Sequence, residues 1–261
     1  MQLNVAAVQF DITWNNPEDN IRKLTPLVAE AAKVAKLIVL PEMFPCGFSL
    51  CTGAAAQLAF EHGVKFLRES AKVHGCWMAG SLPTPGEASF TRPLNSLVIV
   101  SPDGAELSYS KIHLFGFGGE AKAYQSGSKV ITVEIEGVRV TPFVCYDIRF
   151  PKFFSLAAPE TDLFLVVANW PITRRLHWEI LAQARAIENQ AALLAVNRIG
   201  QGGGLEYHGG TRGYSATGEV IFDLGSKAGY GVMQVDGEII AKYRQSFPVL
   251  KDTRSDLGEL S

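Results

Sequence analysis

Short apolar runs, each cut off by a proline, a glycine or a polar side chain, constrain this chain more than any other feature. Residues 5–10, 37–40, 138–144, 162–168 and 192–197 have the length and apolar character of buried strands. None approaches the roughly 18–20 apolar residues that a membrane-crossing helix requires. Between them, residues 19–35, 63–74, 174–190 and 238–244 read as helices, with Trp178, Leu181, Arg185 and Glu188 at helical spacing in the third. The turn residues Ser101-Pro102-Asp103-Gly104 and Glu136-Gly137 predict two hairpins, the first over residues 95–110, and the second joining 129–135 to 138–144. Shorter strands are predicted at 213–215, 220–223 and 229–235, and 76–81 is a further one. Strands that alternate with helices, joined by several hairpins, define a layered α/β protein with a mixed sheet or two packed sheets. With 261 residues and neither repeat nor linker, residues 1–261 are expected to form one domain.

Charge narrows the partners. A formal net charge of -2 and dispersed lysines and arginines argue against nucleic acid. The N-terminus lacks a basic segment ahead of an apolar stretch, so the expected location is the cytoplasm, without membrane attachment. Cys46, Cys51, Cys76 and Cys145 include no CxxC pair, which suits a reducing compartment better than disulfides or zinc, and the histidines show no ligand spacing. No metal site is expected. Cys46, Cys51 and Cys76 read as core or loop thiols.

Three polar residues stand where apolar strands end. Glu42 follows Ile38-Val39-Leu40-Pro41, Lys111 follows Leu107-Ser108-Tyr109-Ser110, and Cys145 ends the 138–144 run. Open α/β sheets gather their ligands at such carboxyl ends. A cysteine attacks carbonyl carbon as the thiolate and needs a base or a positive neighbour, functions that Glu42 and Lys111 can supply. An ammonium aimed at the oxyanion, joined by the backbone N–H of Tyr146, would lower the barrier by about 3–4 kcal/mol. Singly, each residue has an ordinary reading: a solvated loop acid, a surface lysine, a small buried thiol.

Three segments change that weighting. Val39-Leu40-Pro41-Glu42-Met43-Phe44, Ser110-Lys111-Ile112-His113-Leu114-Phe115 and Val144-Cys145-Tyr146-Asp147-Ile148-Arg149-Phe150-Pro151 resemble the signature segments of the nitrilase superfamily of carbon–nitrogen hydrolases, in the same order. The resemblance implies a four-layer αββα sandwich of two mixed sheets flanked by helices, assembled as a homodimer or higher homo-oligomer. It also implies a Glu42-Lys111-Cys145 triad working without cofactor through an acyl-thioester. Glu120, in Phe117-Gly118-Gly119-Glu120, resembles a second glutamate that many members carry, with the role of orienting Lys111 and the substrate. His113 would then be a structural hydrogen-bonding residue, not the base.

Val167-Ala168-Asn169-Trp170-Pro171 and the segment around Arg185 and Glu188 look most like the ω-amidase branch, which acts on small ω-monoamides of dicarboxylates such as 2-oxoglutaramate or succinamate. Arg174 is the expected partner of the distal carboxylate, since a guanidinium grips a carboxylate in bidentate fashion. Arg149 is second, and reads better as an ion-pair partner of Asp147 or Glu188. Phe117 and Trp170 are candidate substrate contacts. The small residues of Gly116-Phe117-Gly118-Gly119 suggest a loop that is mobile or widens the pocket. Carbamoyl-amino-acid hydrolysis and aliphatic-amide hydrolysis stay open, as do a catalytically silent binding module and a thiol-redox protein.

Overall fold

In the order of the chain, the computed structural model describes residues 2–86 and 89–254. The first half comprises β1 (Gln2–Gln9), α1 (Pro17–Ala31), β2 (Leu37–Val39), α2 (Gly53–His74), β3 (Trp77–Thr84), β4 (Leu94–Val100), β5 (Glu106–Ser110) and the one-turn α3 (Glu120–Ala123). Then come β6 (Val133–Ile135), β7 (Val138–Val144), α4 (Pro151–Ala157), β8 (Leu163–Val167), α5 (Arg175–Asn189) and β9 (Ala192–Val196). The chain continues with β10 (Ile199–Gly202), β11 (Leu205–His208), β12 (Arg212–Tyr214), β13 (Val220–Asp223), β14 (Gly229–Asp236) and α6 (Gly237–Ser246).

Among the described residues, two six-stranded mixed sheets form, ordered β14-β1-β2-β3-β4-β5 and β13-β12-β9-β8-β7-β6. Each holds a parallel trio, β1-β2-β3 in one and β7-β8-β9 in the other, with antiparallel strands outside it. The period-2 alternation of a strand distributes the side chains. Leu3, Val5 and Ala7 of β1 enter one core with Val140 of β7 and Leu163 of β8, between the sheets. Ala6 and Val8 point the other way, onto Leu24 and Val28 of α1 and Leu67 and Ala71 of α2. Phe154 of α4 and Trp178, Ala182 and Ala186 of α5 cover the far side of the second sheet. The result is the expected αββα order.

Local chemistry accounts for the boundaries. Asn16 caps α1 by accepting from Asp19 N at 3.1 Å, Pro17 occupies its first turn, and residues 32–35 form a turn instead of the predicted last helical turn. Helix α2 starts ten residues earlier than predicted. Its first half, rich in alanine, lacks a wide apolar stripe, yet Ala56 and Ala59 are buried with Met43, Cys46, Cys51 and Tyr124 beneath the segment that follows Glu42. Glu136 and Gly137 both have positive φ, 50° and 77°, as a two-residue hairpin turn of the primed type demands. Helix α4 and the β10–β11 hairpin were beyond sequence reading. The helix is only two turns long, and Ile199-Gly200-Gln201-Gly202 carries no apolar alternation.

The layering brings four strand ends to one place. Strand β5 runs parallel to β2 through two antiparallel steps, so Glu42 and Lys111 leave the first sheet at the same end. Cys145 directly follows β7, and Asn169 follows β8, in the second. Among the described residues, no helix is long and apolar enough to cross a membrane.

Candidate active site

Cys145 makes the turn from β7 into a single 3-10 turn, Cys145–Arg149, with φ of 47°. A left-handed conformation at a residue with a side chain is uncommon and is kept only where surrounding contacts enforce it. Asp147 supplies them. Its Oδ2 accepts from Val144 N at 3.1 Å and from the Tyr109 hydroxyl at 2.8 Å, while Oδ1 accepts from His113 N at 2.8 Å and lies 2.9 Å from His113 Nδ1. Tyr109 and His113 flank Lys111 in sequence, so one buried carboxylate ties the strand end of Lys111 to the turn of Cys145. The His113 ring also stacks on Phe150 at 3.7 Å. Behind Lys111, the chain passes so close that a Cβ on Gly127 would stand 2.1 Å from Ser110 O, and Gly127 N donates to Lys111 O at 2.8 Å.

Glu42, Lys111 and Glu120 are completely buried and in contact. Lys111 Nζ lies 3.1 Å from Glu42 Oε1, and 3.1 and 2.9 Å from the two oxygens of Glu120. Glu42 Oε2 accepts from Asn169 N at 2.8 Å, and Asn169 Nδ2 donates to Glu42 O at 2.6 Å. Glu120 Oε2 accepts from Phe115 N at 2.6 Å. Asn95 Nδ2 donates to Glu42 Oε1 at 2.8 Å and to Glu120 Oε1 at 3.1 Å.

One ammonium therefore serves two carboxylates. Burial disfavours the charged form of Lys111, but the charges of Glu120 and Glu42 outweigh it and hold the ammonium above the ordinary lysine range. Burial and the Glu42 charge push the Cys145 thiol well above its usual range, against the pull of Lys111. A thiolate here would be the third negative charge around one positive. Cys145 thus rests as a neutral thiol, and its alkylation by iodoacetamide should accelerate as pH rises past about 9 instead of levelling off near neutrality, read by mass spectrometry of the labelled peptide.

Cys145, Glu42 and Lys111 line a cavity of about 190 Å³. That is below the roughly 300–1,000 Å³ of sites for drug-sized ligands, so only a small molecule fits. Trp170, Arg149 and Arg174 belong to the same wall. The Arg149 guanidinium lies 4.8 Å over the Trp170 ring and 3.1 Å from His177 Nδ1, and Trp170 Nε1 donates to Arg174 O at 2.7 Å. Arg174 sits 5.5 Å over the Phe115 ring.

Two expectations need correction. Phe117 is 94% exposed and outside the cavity, because Gly116–Gly118 wind into a 3-10 turn that leads into α3; Phe115, held through its N–H by Glu120, lines the cavity instead. Arg149 is not the ion-pair partner of Asp147 or Glu188. Asp147 is engaged by Tyr109, His113 and Val144, and Glu188 by Arg185 at 2.8 Å, which leaves the Arg149 guanidinium on the cavity wall. Sequence reasoning passed over Asn95, Trp14 and Tyr207. Asn95 had a legible signal, a polar residue opposite Lys111 across the predicted hairpin; Trp14 and Tyr207 reach the cavity from loop and hairpin positions without one.

Two stacked mixed sheets with this cluster at their shared end define a class of hydrolase, and comparison with known proteins identifies it. The pattern of the carbon–nitrogen hydrolase family matches residues 4–245. The chain is 35% identical over 255 residues to omega-amidase YafV of Escherichia coli K12, covering 96% of each chain. It is 32% identical over 263 residues to the 2-oxoglutaramate amidase of Bacillus subtilis, covering 98% of this chain and 100% of that one. Among solved structures, XC1258 of Xanthomonas campestris, a CN-hydrolase superfamily protein with an arsenic adduct in its active site, superposes with a TM-score of 0.87 at 32% identity, over 98% of both chains. The chain belongs to the carbon–nitrogen hydrolase family, within the nitrilase superfamily, and is a hydrolase of amides.

Proposed function

We propose that the chain hydrolyses a small ω-monoamide of a dicarboxylate, of the succinamate or 2-oxoglutaramate type, through an acyl-thioester on Cys145. The observation that carries this reading is the convergence of Cys145, Glu42, Lys111 and Glu120 at one side of a cavity of about 190 Å³ whose wall also holds Arg149 and Arg174. The names of the E. coli and B. subtilis relatives support the same substrate class.

Cys145 Sγ attacks the amide carbon as Glu42 takes its proton. The oxygen that becomes negative is held by Lys111 and by the Tyr146 N–H in the turn that follows Cys145. Glu42 passes the proton to nitrogen, the C–N bond breaks, and ammonia leaves an acyl-thioester. Water then loses a proton to Glu42 and attacks the thioester, and the expelled thiolate recovers that proton. Glu120 keeps Lys111 charged and aimed. Since Cys145 starts neutral, general-base removal of its proton belongs to the attack itself.

The two guanidiniums are the means of choosing a substrate with a distal carboxylate. Here Arg149 stands beside Arg174 as a candidate, since each lies on the cavity wall. Replacing either by alanine should raise KM for succinamate by about 10- to 100-fold, the scale of a hydrogen bond to a charged group, and leave KM for uncharged propionamide nearly unchanged. Ammonia release from succinamate and 2-oxoglutaramate, compared with a carbamoyl amino acid and propionamide, tests the reading. Turnover of the carbamoyl compound with none of the ω-monoamides would overturn it. The proposal includes a cytoplasmic, single-domain chain acting as a homodimer; exposed Leu156 of α4 and Leu176 and Ile180 of α5 offer apolar surface to a second copy.

A further inference from the structure

Asn95 is completely buried, and each polar atom of its amide is committed. Both hydrogens of Nδ2 are donated, one to Glu42 Oε1 at 2.8 Å and one to Glu120 Oε1 at 3.1 Å. Its Oδ1 accepts from Ser81 Oγ at 2.6 Å, and Ser81 Oγ in turn accepts from Met43 N at 3.1 Å. The serine oxygen accepts the backbone hydrogen bond, so its own hydroxyl hydrogen is free for Asn95, which fixes the orientation of the amide. A ring closes in this way: Met43 N to Ser81, Ser81 to Asn95, Asn95 to the side chain of Glu42, one residue before Met43. The backbone oxygen of Asn95 accepts from Lys111 N at 2.9 Å, so the ring is in fixed register with the lysine.

The two oxygens that Asn95 serves are also the ones that Lys111 Nζ contacts, at 3.1 Å each. An ammonium has three N–H donors. If two buried carboxylates depended on Lys111 alone, turning an N–H toward an oxyanion would take a hydrogen bond from a charge that has no water to replace it. A second lysine in the place of Asn95 would cancel the charge balance, and a carboxylate there would add a third negative group. An amide offers two donors and no charge. The charged groups that face it are Glu42 after β2, Glu120 at the start of α3 and Lys111 after β5.

Resting on the roles assigned to Glu42 and Lys111 above, we propose that Asn95 is a positioning residue for the amidase reaction. Its amide keeps Glu42 and Glu120 in place while Lys111 turns an N–H to the oxyanion, so the lysine can leave an Oε1 atom without leaving that buried oxygen unpaired. Ser81 belongs to the same device, since it sets which end of the amide faces the carboxylates.

The test compares Asn95→Asp, Asn95→Leu and Ser81→Ala with the wild-type chain, using succinamate and propionamide. Asp and Leu both keep the shape of Asn; neither keeps two donors. Expected are falls in kcat of about 100-fold or more for both Asn95 variants and about 10-fold for Ser81→Ala, the range of one to two hydrogen bonds to a charged group. KM should stay within about threefold, because Asn95 does not touch the cavity wall that holds the substrate's far end. Ser81→Ala removes none of the side chains that contact the carboxylates, frees only the orientation of the Asn95 amide, and keeps the test open where an Asn95 variant unfolds. A kcat within threefold of wild type in the folded variants would overturn the inference, as would parallel losses of kcat, KM and thermal stability, the mark of a packing role. If the wild-type chain turns over neither amide, the functional reading fails and takes the inference with it; unchanged variants of an active chain count against Asn95 alone.

Discussion

Cys145→Ala should lose amide hydrolysis by roughly 10⁶-fold, the scale on which a hydrolase responds to loss of its nucleophile, while remaining folded. The first half of that expectation follows from the absence of any other route in the cavity: among its lining residues, Cys145 is the sole thiol. The second follows from where the sulfur stands. Cys145 is half-buried on the cavity wall, and its backbone turn is enforced by Asp147 through Val144, Tyr109 and His113, none of which touches the sulfur through these bonds. Removing Sγ also removes a group that burial and neighbouring negative charge already oppose ionising. Thermal unfolding of the variant should therefore stay within a few degrees of wild type, a shift of about 1 kcal/mol or less. A variant that keeps wild-type turnover would show that the nucleophile lies elsewhere.

Lys111→Met has the second large effect, and it falls on both activity and stability. Methionine fills a similar volume but supplies neither charge nor donor. Glu42 and Glu120 are then two fully buried carboxylates held by the Asn95 and Asn169 amides and by backbone N–H groups, with the ammonium between them gone. Breaking a buried ion pair by removing one partner costs about 3–5 kcal/mol, because the remaining charge is left uncompensated. Denaturant unfolding should show a loss of that size, and kcat should fall by at least about 10³-fold through loss of the oxyanion contact. The double variant Lys111→Met with Glu120→Gln should recover a large part of the stability and none of the activity. If the single variant is as stable as wild type, the lysine does not neutralise the pair in the way the distances imply.

The parts of this protein that were readable from its sequence are those governed by short-range rules. Strands such as β2 and β9 announce themselves as apolar runs because both faces are covered, and the hairpin at Glu136-Gly137 because its turn needs two positive φ values. Glu42, Lys111 and Cys145 stood out as polar residues terminating such runs, and the structure brings Glu42 and Lys111 into direct contact in the cavity that Cys145 lines. What could not be read depends on tertiary context. The first half of α2 is held by alanines that matter only because the Glu42 segment lies on them. Phe117 looked like a pocket aromatic until the 3-10 turn directed it outward, and Arg149 like an ion-pair partner until Asp147 proved to be occupied from three sides. Asn95 lies 53 residues from Glu42 and 25 from Glu120, and only the sheet register joins them.

On the proposed mechanism, a thiol in such a place reacts only once the substrate is bound. Two carboxylates and one ammonium leave the cluster short of positive charge, which keeps the Cys145 thiol protonated; on the proposed mechanism Glu42 accepts that proton only during attack. The same shortage makes Lys111 strongly charged and therefore a dependable donor to an oxyanion. A site built on a preformed thiolate would gain reactivity toward alkylating agents as well as amides; this one is expected to discriminate between them.

On the proposed mechanism, hydrolysis passes through an acyl group on Cys145. Intact-protein and peptide mass spectrometry after acid quenching during turnover of succinamate tests it most directly. The expected result is a mass increase equal to the succinyl group on the peptide that contains Cys145, present with wild type and absent with Cys145→Ala. Turnover without any adduct on that peptide under single-turnover quenching, or an adduct on Cys46, Cys51 or Cys76 in its place, would contradict it.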